Sequence, residues 1–248
     1  MLSDVATLRT NVKIDESLAL VELGGSYVPG NCNPRERLAV LVPLRGRADA
    51  LPGFLAHLHF FLQQQNKAYT IVVIEQTANA PFNRASLLNV GAIETMRRVA
   101  AVNCLVLHDV DVLPLNLLND YSCAPGAVRQ LLRSRSDRNF TPFYGRFMGG
   151  VVSLTPRSMS LVNGLSNAYW GWGGEDDDFE RRVLRAGLRF ELVTKQRGRM
   201  DDGLSSVRYT LLRCTRLPTY TLLLVELHQQ EPYQAPRGAS PEEPLACD

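Results

Sequence analysis

The run Leu38-Ala39-Val40-Leu41-Val42-Pro43 is apolar without a break and is closed by proline. A strand with one wet face alternates. One this continuous is buried on both faces, as in a parallel sheet covered by helices. Arg45 and Arg47 follow it at once. Further on, Leu51, Phe54, Leu55, Leu58, Phe61 and Leu62 recur at three and four residues, the period of an amphipathic helix. Tyr69–Glu75 reads as a second buried strand, and Ala85–Val99 as a second helix through Leu88, Ala92, Met96 and Val99. Cys104–His108 reads as a third strand, which ends in Asp109-Val110-Asp111. Strand, helix, strand, helix, strand at this spacing predicts an α/β fold with a mostly parallel, doubly wound sheet. Ligands of such sheets bind at the carboxyl ends of the strands. Arg45, Arg47, Asp109 and Asp111 are therefore expected on one rim.

The flanking segments are less regular. Residues 1–37 read as an irregular lead-in, 38–228 as a single domain, and the Pro-, Glu- and Gln-rich stretch 229–248 as a disordered tail. Residues 114–146 carry no clear period. A strand is expected over Gly149–Leu154, a short helix over Pro156–Asn163, and two strands over Val207–Leu212 and Tyr220–Leu227. Between them lies Tyr169-Trp170-Gly171-Trp172-Gly173-Gly174-Glu175-Asp176-Asp177-Asp178, which holds both tryptophans of the chain. An aromatic pair on a glycine-rich backbone suits a loop that closes over a stackable, polar substrate such as a sugar. The acids lead into a helix, Phe179–Ala186, stopped by Gly187.

Composition excludes several classes. The chain has 248 residues, 45% of them hydrophobic, enough for one sizeable core. A net charge of +2 without a basic run gives no sign of a nucleic-acid partner. No stretch is long and apolar enough to span a bilayer, and Met1–Leu20 is too polar for a signal peptide. The five cysteines include no CxxC pair and so carry no zinc signature. P-loop, dinucleotide and nucleophile-elbow motifs do not occur. Asn139-Phe140-Thr141 matches a glycosylation acceptor, usable only in a secretory compartment.

Asp109-Val110-Asp111 is short enough to be an ordinary solvated turn. At a parallel-strand end, however, alternation puts both carboxylates on one side, where hard oxygen ligands suit Mg²⁺ or Mn²⁺ on a diphosphate. Arg45, Arg47 and Arg84, the last at the start of the second helix, are ordinary surface charges one by one and phosphate donors together. One or two of the acids Glu175–Asp178 are explained by the helix dipole. Four in a row after Trp-Gly-Trp-Gly-Gly point to proton transfer or to holding sugar hydroxyls.

These residues resemble the β-1,4-galactosyltransferase family. The resemblance rests on Val42-Pro43-Leu44-Arg45-Gly46-Arg47, Phe82-Asn83-Arg84-Ala85 with Leu87-Leu88-Asn89-Val90-Gly91, and His108-Asp109-Val110-Asp111 with Pro114. It continues through Gly149-Gly150-Val151, Asn163-Gly164, Tyr169 to Asp178, Asp202-Gly203-Leu204-Ser205-Ser206 and Pro218-Thr219-Tyr220-Thr221. It implies a GT-A-like nucleotide-sugar transferase of the Golgi lumen. Such an enzyme moves galactose from UDP-galactose to the 4-hydroxyl of N-acetylglucosamine, glucose or xylose on an acceptor glycan or glycoconjugate, with inversion and with Mn²⁺. By the same resemblance Pro43, Arg45, Arg47, Phe82, Arg84, Asp109 and Val110 hold UDP, and Asp111 binds the metal. Trp172 and Gly173 close over the donor, Glu175 and Asp177 hold sugar hydroxyls, and Asp176 is the base. Cys104 and Cys123 match a family disulfide, and Cys32 matches a cysteine whose usual partner lies upstream.

The sequence departs from the family at four points. Between the acid-led helix and Asp202, only Phe190 to Asp201 stand where the family has a longer segment with a Met-x-x-His metal pair; Met200 matches the methionine and no histidine follows. Weak Mn²⁺ binding is expected. The family's membrane anchor has no counterpart. Phe147, a sugar-site position, stands where many members have tyrosine, and Arg138 stands for a family lysine. A non-catalytic UDP-sugar-binding or partner-binding relative is the competing expectation. The tryptophan-acid loop counts against a third, an unrelated Mg²⁺-dependent phosphate enzyme.

Overall fold

The structure, a computed structural model, describes residues 16–77, 80–143 and 145–192, and the strands at 209–216, 221–227 and 246–247. In chain order the first unit contains β1 (Ser26–Tyr27), β2 (Asn33–Pro34), β3 (Arg37–Leu44), α1 (Leu51–Gln64), β4 (Ala68–Glu75) and α2 (Arg84–Arg98). It continues with β5 (Cys104–His108), β6 (Ala127–Gln130), β7 (Val151–Leu154), α3 (Pro156–Leu161), α4 (Glu175–Arg185) and β8 (Arg189–Leu192).

Seven strands form one sheet in the order β1-β4-β3-β5-β7-β6-β8. Parallel pairing joins β3 to β4, β3 to β5 and β6 to β8, while β1 and β7 pair antiparallel with their neighbours. Five strands thus share one direction and two oppose it. The expected mostly parallel α/β sheet is what forms.

The unbroken apolar run behaves as its composition requires. Its side chains alternate between two cores, one on each face of the sheet. Leu38, Val40, Val42 and Leu44 meet Phe54, Leu58, Phe61 and Leu62 of α1. Ala39 and Leu41 belong with Ala85, Leu88 and Ala92 of α2 and Phe179 and Val183 of α4. Each fully buried Leu, Val or Phe contributes about 1.5–3 kcal/mol, so a polar residue on either face of β3 would be costly.

Strands also form where none was expected. β1 pairs with β4 inside the stretch read as an irregular lead-in. β6 lies in the stretch without a clear period, and β8 follows the acid-led helix where no element was assigned. β7 starts at the rim where β5 ends, since Val151 lies opposite His108 and the Asp109 amide donates to the Gly150 carbonyl at 3.0 Å. Its reversal therefore brings Gly149 and Gly150 to the strand ends that hold Asp109.

Cys104, at the other end of β5, is bonded to Cys123, the pair implied by the resemblance. Cys32, expected without its usual partner, is also disulfide-bonded. Residues 194–243 separate as a second compact unit, so the expected single domain over 38–228 crosses a unit boundary. In that unit β9 (Tyr209–Arg216) and β10 (Thr221–Leu227) form an antiparallel hairpin. In the first unit β11 (Ala246–Cys247), within the stretch expected to be disordered, pairs parallel with β2.

Candidate active site

The strand-end rim carries a cleft of about 860 Å³. Pro43, Arg45 and Arg47 reach it from the end of β3 and the turn beyond, Phe82 and Arg84 from the start of α2, and Asp109, Val110 and Asp111 from beyond β5. Phe147 lines it ahead of β7, and Trp172, Gly173, Glu175, Asp176 and Asp177 line it from the entry to α4. Every expected donor, sugar or base position thus meets in one cavity. Met200 and the Asp202–Ser206 motif lie outside the described residues.

Asn83 caps α2, its side chain accepting from the Ser86 amide, and so fixes the first helical residue, Arg84, against the rim. Arg84 Nε donates to Asp109 Oδ1 at 2.6 Å, Nη1 lies 3.8 Å from Glu175 Oε1, and the buried Nη2 has no hydrogen-bond partner among the described residues. Burial disfavours the charged guanidinium, but the carboxylates of Asp109, Glu175 and Asp176 together outweigh it and hold Arg84 cationic. Burial also raises the Asp109 carboxyl above its ordinary range, against the pull of Arg84. A cation with an unused donor on a cleft wall is suited to an anionic oxygen.

The same-side placement of Asp109 and Asp111 does not follow the expected reason. β5 ends at His108, and Asp109–Val112 is a turn closed by the Val112 amide on the Asp109 carbonyl at 3.2 Å, so strand alternation does not apply. Val110 at its centre is buried in the core. The two carboxylates take different cations: Asp109 has Arg84, and Asp111 has Arg47 at 3.0 Å on the more exposed side. His108 is fully buried between the Tyr121 hydroxyl and the Asp109 carbonyl, each 3.0 Å away. Burial pushes its imidazole down to about 4.

The four acids are not a loop that precedes a helix. They are the first turn of α4, complementing its dipole. Gly174 caps it at φ 89°, and a Cβ there would meet the Tyr169 ring at 2.9 Å. The acids then divide. Asp178 pairs with Arg182 one turn on at 2.7 Å, a local bridge. Glu175, Asp176 and Asp177 line the cleft. Asp176 Oδ2 and the Phe147 ring close on Gly149, where an added Cβ would lie 3.0 Å from the carboxylate and 2.5 Å from the ring. Trp172 is fully exposed, while the Gly171 amide ties the loop to the Phe82 carbonyl at 2.7 Å.

Leu132, Arg135 and Phe143 also line the cleft and were not singled out; they follow β6, a strand too short and polar to be recognised. Arg138, read as a substitute for a family lysine, lines it too. Among the described residues, the group of His, Cys, Asp and Glu that comes close enough to hold a metal is Glu36 with Cys104 and Cys123, which the disulfide occupies. At the rim, Asp111 offers one cleft-facing carboxylate. This fits a hard divalent ion whose remaining ligands come largely from a bound diphosphate.

The family described as the N-terminal region of glycosyl transferase group 7 matches residues 3–124, and that described as the N-terminal domain of galactosyltransferase matches residues 129–202. Human β-1,4-galactosyltransferase 3 is 40% identical over 236 residues, covering 84% of this chain and 60% of its own length. β-1,4-galactosyltransferase 4 of Cricetulus griseus is 37% identical over 232 residues, covering 82% of this chain and 67% of its own length. The chain thus spans about 60% of the length of the first of these relatives. A crystal structure of Drosophila β-1,4-galactosyltransferase 7, as a point mutant in complex with manganese, UDP-Gal and xylobiose, is similar with a TM-score of 0.58. It is 27% identical, over 79% of this chain and 95% of that one.

Proposed function

We infer that this chain, which belongs to the β-1,4-galactosyltransferase family, transfers galactose from UDP-galactose to the 4-hydroxyl of an acceptor sugar with inversion. One observation carries the reading. A single cleft holds Arg45, Arg47, Arg84 and Asp111 on the β3 and β5 side, and Trp172, Glu175, Asp176 and Asp177 on the α4 side. Inversion by one displacement requires these two sets. The acceptor oxygen attacks the anomeric carbon as the bond from that carbon to the diphosphate oxygen breaks, the electron pair leaving with UDP. Asp176 takes the acceptor proton. The arginines stabilise charge growing on the diphosphate, Arg84 with its unused donor above all.

Pro43, Phe82, Asp109 and Val110 complete the UDP site. Glu175 and Asp177 accept hydrogen bonds from sugar hydroxyls, and Trp172 with Gly173 closes over the donor and excludes water. Asp111 would hold Mn²⁺, which when bound neutralises charge on the diphosphate. The acceptor is N-acetylglucosamine, glucose or xylose on a glycan or glycoconjugate. The compartment is the Golgi lumen, and the Cys104–Cys123 disulfide suits an oxidising compartment.

The test is galactose transfer from UDP-galactose to N-acetylglucosamine and xylose, with and without Mn²⁺. Metal-dependent transfer that disappears in Asp176→Asn is expected. UDP binding without transfer to any acceptor would leave a non-catalytic UDP-sugar-binding relative.

A further inference from the structure

The cleft wall beside Asp176 is built as a stack. Phe143 and Phe147 lie face to face, ring centroids 4.2 Å apart and planes 13° from parallel. The guanidinium of Arg138 lies over the Phe143 ring, 4.8 Å from its centroid. All three residues line the cleft. Neither ring is deep core: both are partly buried and pack from outside against a core cluster that includes Leu132 and Val151.

The loop that carries them is fixed by its backbone on both sides. Gln130, 2% exposed, donates to the Phe147 carbonyl at 2.6 Å and the Gly149 carbonyl at 3.1 Å. Ser134 bridges to Pro142, and the Phe143 amide donates to the Arg133 carbonyl at 3.1 Å. The stack is therefore not needed to hold the loop's path. What it adds is the orientation of the Phe147 ring, whose edge borders Gly149 as Asp176 Oδ2 does. Aromatic rings carry positive edges and negative faces, so a ring held beside a carboxylate is also oriented to pack C–H groups of a sugar.

We propose that Phe143 is a positioning residue: stacked under Arg138, it holds the Phe147 ring beside Asp176, where that ring packs the hexose of the nucleotide sugar. This rests on the galactosyltransferase reading above. It predicts a division within the ligand, because the nucleotide lies with the arginines of the β3 and β5 side while the hexose meets the stack.

Calorimetric titration of the full chain with UDP and with UDP-galactose, in the presence of Mn²⁺, tests it. In Phe143→Ala, affinity for UDP-galactose falls about five- to tenfold, the scale of one aromatic pair, while UDP affinity stays within about twofold. Phe143→Tyr, which can stack, restores UDP-galactose affinity. Equal weakening of both ligands would make the stack merely structural, and unchanged affinity for both would remove Phe147 from the hexose; either overturns the proposal. A wild-type chain that binds neither ligand overturns the galactosyltransferase reading as well, so the two failures are distinct.

Discussion

Arg84 and Asp109 form the bridge on which the cleft wall is built, Nε to Oδ1 at 2.6 Å, with both side chains largely withdrawn from water. Removing one partner of a buried pair leaves a desolvated charge, whereas replacing both by apolar groups can be nearly neutral. Arg84→Met is expected to cost about 3 kcal/mol in urea unfolding, and Arg84→Met with Asp109→Leu to recover most of that. Neither variant is expected to bind UDP, since the guanidinium on the cleft wall is gone from both. If the double variant regains stability and UDP affinity together, Arg84 is not a phosphate ligand.

Gly149 is a second hinge between fold and chemistry. It sits where β7 begins, and no side chain fits between the Phe147 ring and the Asp176 carboxylate. Gly149→Ala should displace one of them, at about 1–3 kcal/mol of stability, and cut transfer well beyond what that loss explains. Asp176→Asn keeps the shape and removes the base. Its expected loss is about 10²–10⁴ in kcat, with UDP affinity unchanged. Parallel measurement of kcat and the UDP dissociation constant separates the two. An Asp176→Asn enzyme with near wild-type kcat would end the assignment of the base.

How much of this was legible beforehand depended on pattern length. β3 and β4, each eight residues long and mostly buried, were plain from composition. β6 and β8 were not: each has four residues, Ala-Val-Arg-Gln and Arg-Phe-Glu-Leu, and the polar members are tolerated because partners satisfy them. Gln130, for example, is buried yet bonded to the Phe147 and Gly149 carbonyls. Since Phe143 and Arg135 follow β6, missing that strand also hid them. The carboxylates were found for the right place and partly the wrong reason. Asp109 and Asp111 share a cleft through a turn, not through strand alternation, and Asp178 faces Arg182 rather than substrate. A sequence pattern names the rim that a residue reaches; which cation it meets depends on side chains far away in the chain.

His108 makes stability depend on pH. Folded, it is held neutral down to about pH 4, whereas an unfolded histidine gains its proton near pH 6.5. The unfolded state therefore binds more protons between these values. The stabilising contribution is whole above about pH 6.5 and is lost as pH falls toward 4, to an extent of about 3 kcal/mol. Burial lowers His59 as well, which acts in the same direction. Melting temperatures from pH 7.5 to 4.5 are expected to fall more steeply for the wild type than for His108→Gln. Parallel curves for the two proteins would show that His108 does not set the slope.

Trp172 offers the cleanest separation of fold from function. Its indole is fully exposed, so truncation forfeits no buried contact. Trp172→Ala should therefore lie within about 0.5 kcal/mol of the wild type in unfolding. Its place on the cleft gives the ring a use only when ligand is present, and covering an aromatic ring is worth enough to change affinity on the order of tenfold or more. The chain has two tryptophans, Trp170 and Trp172, so fluorescence resolves the matter in a Trp170→Phe background. Emission that shifts on adding UDP-galactose with Mn²⁺, together with a fall of tenfold or more in kcat/KM for Trp172→Ala at unchanged melting temperature, is the expected pair of results. A variant that melts early would make Trp172 a structural residue. One that transfers galactose normally would leave the loop with no part in closing the site.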